Sequence, residues 1–186
     1  MSRDLNMGNY DASGNLKVTN VEGLQSTYGY AAVAITPAAT PTDLLTISGS
    51  ATKTVRVKSV TVSGQATTAG SMDVSIVKRT AVNTAGTASA PVPGKFDSSD
   101  AAATAALAQY SANATALGAG VVIATKKLNL GLAGAGGSVT FDFATRNDKA
   151  LILRGATQAL AINLNGQAVP AGGTITYAVE FEEDNS

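Results

Sequence analysis

The chain has no cysteine, no histidine and no tryptophan. Without cysteine there is neither a disulfide framework nor a thiolate metal site. Without histidine the commonest general base, the commonest metal ligand and the usual partner of a nucleophilic serine are all missing. Aromatic residues make up only 5% and charged residues only 14% of the 186. Hydrophobic residues reach 45%, but much of that is alanine, which buries little area. A core of Val, Ile and Leu with few large rings suits thin, closely apposed sheets, and a protomer that completes its core against copies of itself. Net charge is zero, so the basic footprint of a nucleic-acid binder is absent. The opening M-S-R-D-L-N-M-G-N-Y lacks the apolar stretch of a secretory signal, and no run is long and apolar enough to span a bilayer. These absences lead to the expectation of a soluble protein made in the cytoplasm, with no cofactor, no membrane and no direct nucleic-acid partner.

What the sequence does contain is β-strand text. Thr54 to Arg79 holds two β-rich runs around a loop with Gly64 and Gly70, the pattern of an antiparallel hairpin. Met72, Val74 and Ile76 alternate with Asp73 and Ser75, so one face is apolar and the other wet. The first run slips phase: Val55 and Val57 share one register, Val60 and Val62 the other. That slip, near Lys58-Ser59, predicts a bulge or a strand that passes from one sheet to another, against the plainer reading of a strand partly buried on both faces.

Residues 1–27 are polar. They read as a flexible tail or as an extended arm that adds to another subunit's sheet edge, with Leu16, Val18, Val21 and Leu24 as anchors and Tyr28 and Tyr30 beside them at the start of the domain. Strands are expected at Tyr28 to Ile35 and at Asp43 to Ser48, separated by Pro37 and Pro41. Asp97 or Ser98 is placed to cap a single helical turn, and Thr104 to Ser111 reads as a strand in preference to a helix. A strand from Val121 to about Leu130 leads into Gly131 to Gly137. That glycine-rich loop is followed by the alternating strand Ser138 to Phe143 and not by a helix, so it reads as a hairpin tip and not as a phosphate cradle. Leu151 to Leu153 and Leu160 to Leu164 are short strands, and Asn165-Gly166 signals a tight turn. In the last strand Ile175, Tyr177, Val179 and Phe181 face in, while Glu180 and Glu182 face out; 183–186 reads as an acidic solvated tail. The organisation expected is an arm over 1–27 and an all-β antiparallel sandwich over 28–182. Eight or nine strands with no βαβ alternation fit a jelly roll of two sheets of about four strands each.

Candidate chemistry is thin. Asp73, Asp142, Glu180 and Glu182 are carboxylates on outward strand positions, which more often serve solubility than glycoside hydrolysis. Lys53, Lys58, Lys78, Lys126 and Lys127 are possible bases for a nucleophile, but no Ser-x-x-Lys motif accompanies them. Asn147-Asp148 with Asp142 is a weak calcium candidate against the reading as an Asx turn. Lys78-Arg79 and Lys126-Lys127 are dibasic pairs at strand ends, solvated rims or contacts for an acidic partner patch.

Longer stretches of text are more specific. Thr42-Asp-Leu-Leu-Thr-Ile-Ser-Gly-Ser-Ala-Thr-Lys-Thr-Val-Arg-Val57, Val74 to Arg79, Ser98 to Ala105 and Leu153-Arg-Gly-Ala-Thr-Gln-Ala-Leu-Ala-Ile-Asn-Leu-Asn-Gly166 together resemble small structural proteins of tailed-bacteriophage virions, over roughly residues 28 to 182. The resemblance implies a jelly-roll-like, non-enzymatic capsid decoration or cement protein. It would sit on the virion surface as a homotrimer and hold neighbouring copies of the major capsid protein. The competing expectation is a tail, neck or head-fibre module that binds a host receptor or glycan through loop residues such as Tyr110, Asn147 and Asp148.

Overall fold

The computed structural model describes residues 25–144 and 149–184. Leu16, Val18, Val21, Leu24, Asn147 and Asp148 lie outside the described residues. Twelve strands follow one another: β1 (Ser26–Ile35), β2 (Asp43–Ser48), β3 (Thr54–Gln65), β4 (Gly70–Arg79), β5 (Thr87–Ser89), β6 (Gly94–Lys95), β7 (Leu107–Ala112), β8 (Gly120–Leu130), β9 (Gly137–Asp142), β10 (Leu151–Arg154), β11 (Ala159–Asn163) and β12 (Thr174–Asp184). Among the described residues there is no helix. The expected helical turn after Phe96 is instead an Asx turn, in which the Asp97 carboxylate accepts from the Ser99 amide and hydroxyl.

Two six-stranded sheets form a sandwich. Sheet I runs β10-β3-β12-β1-β6, with β9 also on β3; sheet II runs β5-β7-β2-β11-β4-β8. The principal pairs are nested: β1 with β12, β2 with β11, β3 with β9 and β10, and β4 with β8, all antiparallel. First strand with last, second with next-to-last and so on inward is the pairing of a jelly roll. Its eight principal strands count β9 and β10 as one broken edge; β5, β6 and β7 are additions inserted between β4 and β8.

This topology corrects two local expectations. β3 and β4 lie in different sheets, so Thr54 to Arg79 is a crossing between layers and not a hairpin. Gly131 to Gly136 likewise carries the chain from β8 in sheet II to β9 in sheet I. The Asn165-Gly166 turn is present: both residues have positive φ (58° and 66°), and the Gln167 amide donates to the Leu164 carbonyl at 3.2 Å. It too lies on a crossing, from β11 to β12.

The phase slip in β3 is a bulge. Val57 pairs with Phe181 and Ser59 with Glu180, leaving Lys58 as the inserted residue. The insertion restores a common face, so Val55, Val57, Val60 and Val62 are all fully buried. Lys58 also marks where β10 hands over to β9 along the edge of β3. Between the sheets these valines meet Leu45, Ile47, Met72, Val74, Ile76, Leu160 and Ile162, together with the stacked rings of Tyr28 and Phe181.

The acidic end is not a solvated tail through Asp184. β12 continues to Asp184, and Glu182, Glu183 and Asp184 are buried. Basic residues of and beside β3 face them: Arg56 clasps Asp184 at 2.6 and 2.8 Å, Lys58 lies 3.9 Å from Glu182 and 3.5 Å from Glu180, and Lys53 lies 3.4 Å from Glu183. Glu183 also accepts from the amides of Thr104 and Ala105 and the Thr104 hydroxyl, pinning the approach to β7 onto sheet I.

Candidate interaction surfaces

The polar side chains that sequence alone marks for chemistry are mostly engaged in holding the fold. Asp43, at the start of β2, is buried against Arg79, at the end of β4. Arg79 Nε and Nη2 donate to the two Asp43 oxygens at 2.7 and 2.6 Å, Asn83 and Asn163 add one donor to each oxygen, and Arg79 Nη1 donates to the Gly118 carbonyl. Asn83 Oδ1 in turn accepts from the Gly118 amide. This network ties both ends of the excursion between β4 and β8 to sheet II, whose outer side it covers: Val77, Ala159 and Ala161 face away from the core yet are buried.

The expected outward carboxylates divide between the sheets. Asp73 is in sheet II, where hydrogen bonds from Lys127 and then Gln167 hold its carboxyl below the usual carboxylate range. Asp142 and Glu180 stand on either side of Ser59 on sheet I, two strand spacings or about 10 Å apart. Asp142 caps the Ala144 amide, and Glu180 is paired with Lys58. Glu182, expected outside, is buried, with the Lys58 ammonium 3.9 Å from its carboxylate. Of the lysines, Lys53, Lys58 and Lys127 are in ion pairs, and Lys126 donates to the Thr140 carbonyl beneath the Phe141 ring.

The two tyrosines expected at an assembly interface face inward. Tyr28 is wholly buried, with its hydroxyl donating to the Ala101 carbonyl, so its side chain offers no surface to another subunit. Tyr30 is half-buried; its hydroxyl and that of Tyr177 both donate to Gln109 Oε1. The alternation of β1 dictates this, since Tyr28, Tyr30 and Ala32 share the phase that meets Phe181, Val179 and Tyr177 across β12. Tyr110 is half-buried beside Thr46 and Val82, over the outer side of sheet II.

Two surfaces bear on interaction. The outer side of sheet I carries a shallow concavity with the small residues Gly29, Ala31, Ser59, Thr61 and Ala178 in its lining, and Phe96 lies on Gly29. The second surface is the long edge strand β8. Val121, Val122 and Ile123 are three consecutive apolar residues exposed at 66%, 54% and 49%. A bulge at Ile123, between the pairs Val77–Val122 and Ile76–Ala124, turns this end of the strand. Composition alone hides the feature, because a Val-Val-Ile run reads as core until its position at the sheet edge is known.

Beside Ile123 a groove of about 480 Å³ opens between β8 and β10, within the size range of ligand sites. Its walls include Lys78, Lys149 and Arg154 with Ile123, Phe143 and Ile152. No protein-family profile, curated protein or solved structure matches the chain.

Proposed function

We propose that the protein is a non-enzymatic structural component of a tailed-bacteriophage virion, a decoration or cement protein. In this role it binds the outside of the head as a homotrimer and stabilises contacts between major capsid subunits. The virion assignment comes from the sequence resemblance, whose longest segments fall on β2–β3 and β10–β11 at the heart of the jelly roll. The observation that carries an assembly role is the exposed Val121–Ile123 run on a strand that, among the described residues, is the free edge of its sheet. Three consecutive exposed apolar residues on an unpaired edge invite association unless a partner covers them. Binding the finished shell and not its precursor would favour the shell by mass action.

Cryo-electron microscopy of the particle that contains the protein tests this reading. The expected result is density for the jelly roll over three-fold or local three-fold positions of the shell, with Val121–Ile123 covered. Density confined to the neck, the tail or a fibre tip would overturn it and turn attention to receptor binding. Deleting residues 1–24, which precede β1, should weaken attachment to shells while the sandwich stays folded.

A further inference from the structure

We propose that the groove between β8 and β10 receives an extended, acidic segment of a partner polypeptide. The segment lies along the free edge of β10 with its carboxylates on Lys78, Lys149 and Arg154.

Charge selects the occupant. The described lining holds those three cations and no carboxylate. None of the three is in an ion pair among the described residues, whereas Lys53, Arg56, Lys58, Arg79 and Lys127 all are. Three cations without a lining carboxylate suit a segment that brings carboxylates of its own.

Backbone geometry selects the conformation. The Arg154 amide donates to Gln158 Oε1 at 3.0 Å and therefore points away from β3. In an antiparallel ladder alternate residues direct both backbone groups to the same side, so Ile152 also presents its N–H and C=O outward. The Gln158 side chain thus holds the place that a carbonyl of an added strand would take. A peptide has the alternating donors and acceptors to pair with such an edge; a phosphate backbone has acceptors only. Ile123 and Phe143 supply apolar contacts for the side chains between the carboxylates. β10 has four residues, so the paired stretch spans about 13 Å.

In the decoration role this segment belongs to the shell protein, a clause that rests on the reading above; the groove itself does not. Peptide binding without attachment to shells would remove the role and keep the groove. Attachment to shells untouched by groove substitutions, with no peptide binding, would remove the groove and keep the role.

The test uses the full chain and a fluorescein-labelled decapeptide of alternating Glu and Val, read by fluorescence anisotropy. The expected result is saturable binding that weakens at least tenfold in the Lys78→Gln/Arg154→Gln double variant, and again when alternate peptide amides are N-methylated. A matching Lys and Val peptide should not bind. Equal binding of the Lys peptide, indifference to the double variant, or tighter binding of a ten-residue oligothymidylate would overturn the proposal. So would a dimer in sedimentation that the same substitutions dissolve, since the occupant would then be a second copy.

Discussion

Replacing Arg79 with Met should be among the most damaging single changes in the protein. The Asp43 side chain is 1% exposed and that of Arg79 6%, so both charges are out of water. Each Asp43 oxygen accepts two donors, one from Arg79 and one from an asparagine. Met fills much of the volume but removes half of those donors, removes the compensating charge and leaves the Gly118 carbonyl without its Nη1 donor. Removing one member of a buried ion pair costs about 3–5 kcal/mol. Against a total of about 5–15 kcal/mol for a domain, that is at least about a fifth of the stability. Urea unfolding followed by far-ultraviolet circular dichroism measures it, with the slope against urea unchanged. Adding Asp43→Asn should recover about 1–3 kcal/mol, because the uncompensated charge is what the first substitution leaves behind. A loss below about 1 kcal/mol in Arg79→Met, or a double variant as unstable as the sum of the two single ones, would refute the account. A second readout follows the same bonds: the Gly118 amide, held by Asn83 Oδ1, should exchange its hydrogen faster in the variant.

Deleting Lys58 should remove the bulge and turn Val55 and Val57 to the outer side of sheet I, at a cost of about 3–6 kcal/mol for two buried valines. Lys58→Arg, which keeps the inserted residue and its positive charge beside Glu180 and the buried Glu182, should cost within about 1 kcal/mol; equal losses in urea unfolding would sink the bulge argument. Burial pushes the Tyr177 phenol well above its ordinary value near 10. A folded-state value above the unfolded one leaves the stabilisation intact below about pH 10 and erodes it as pH rises further, because only the unfolded chain then gains charge at this group. Ultraviolet difference titration should therefore show Tyr177 ionising together with unfolding, and Tyr177→Phe should be less sensitive above pH 10; ionisation of all five tyrosines in a folded chain would contradict this.

The strands are legible in the sequence wherever one face is wet. β12, β4 and β9 alternate with period two, and Ile175, Tyr177, Val179 and Phe181 are buried as their phase requires. Even the bulge at Lys58 is written as a phase slip among four valines. Pairing is not written locally. β3 and β4 read as a hairpin because two apolar runs flank a glycine-bearing loop, but that loop equally suits a crossing between layers. The fate of the acidic end was hidden for the same reason. Glu182 to Asp184 look solvated until β12 is laid beside β3, whose Arg56 and Lys58 are more than 120 residues earlier. The inward turn of Tyr28 and Tyr30 follows from the phase of β1 once its partner is known, but no local feature names that partner.

Nested pairing leaves the two sides of the sandwich unlike each other, and that asymmetry bears on assembly. On one side the sheets end in β5 and β6, three and two residues long. Strands that short offer an approaching chain almost no ladder to extend. On the other side they end in β8, eleven residues long, and in the broken edge of β9 and β10. Here the usual protections are uneven. Lys126 and Lys127 guard one half of β8, while the half carrying Val121 to Ile123 has no charge and adjoins the cationic groove. A monomer with no partner gains nothing from leaving that half bare, and a single lysine in place of Val122 would blunt it. Among the described residues, one blunted side and one open side leave strand addition a long edge on one side of the sandwich only.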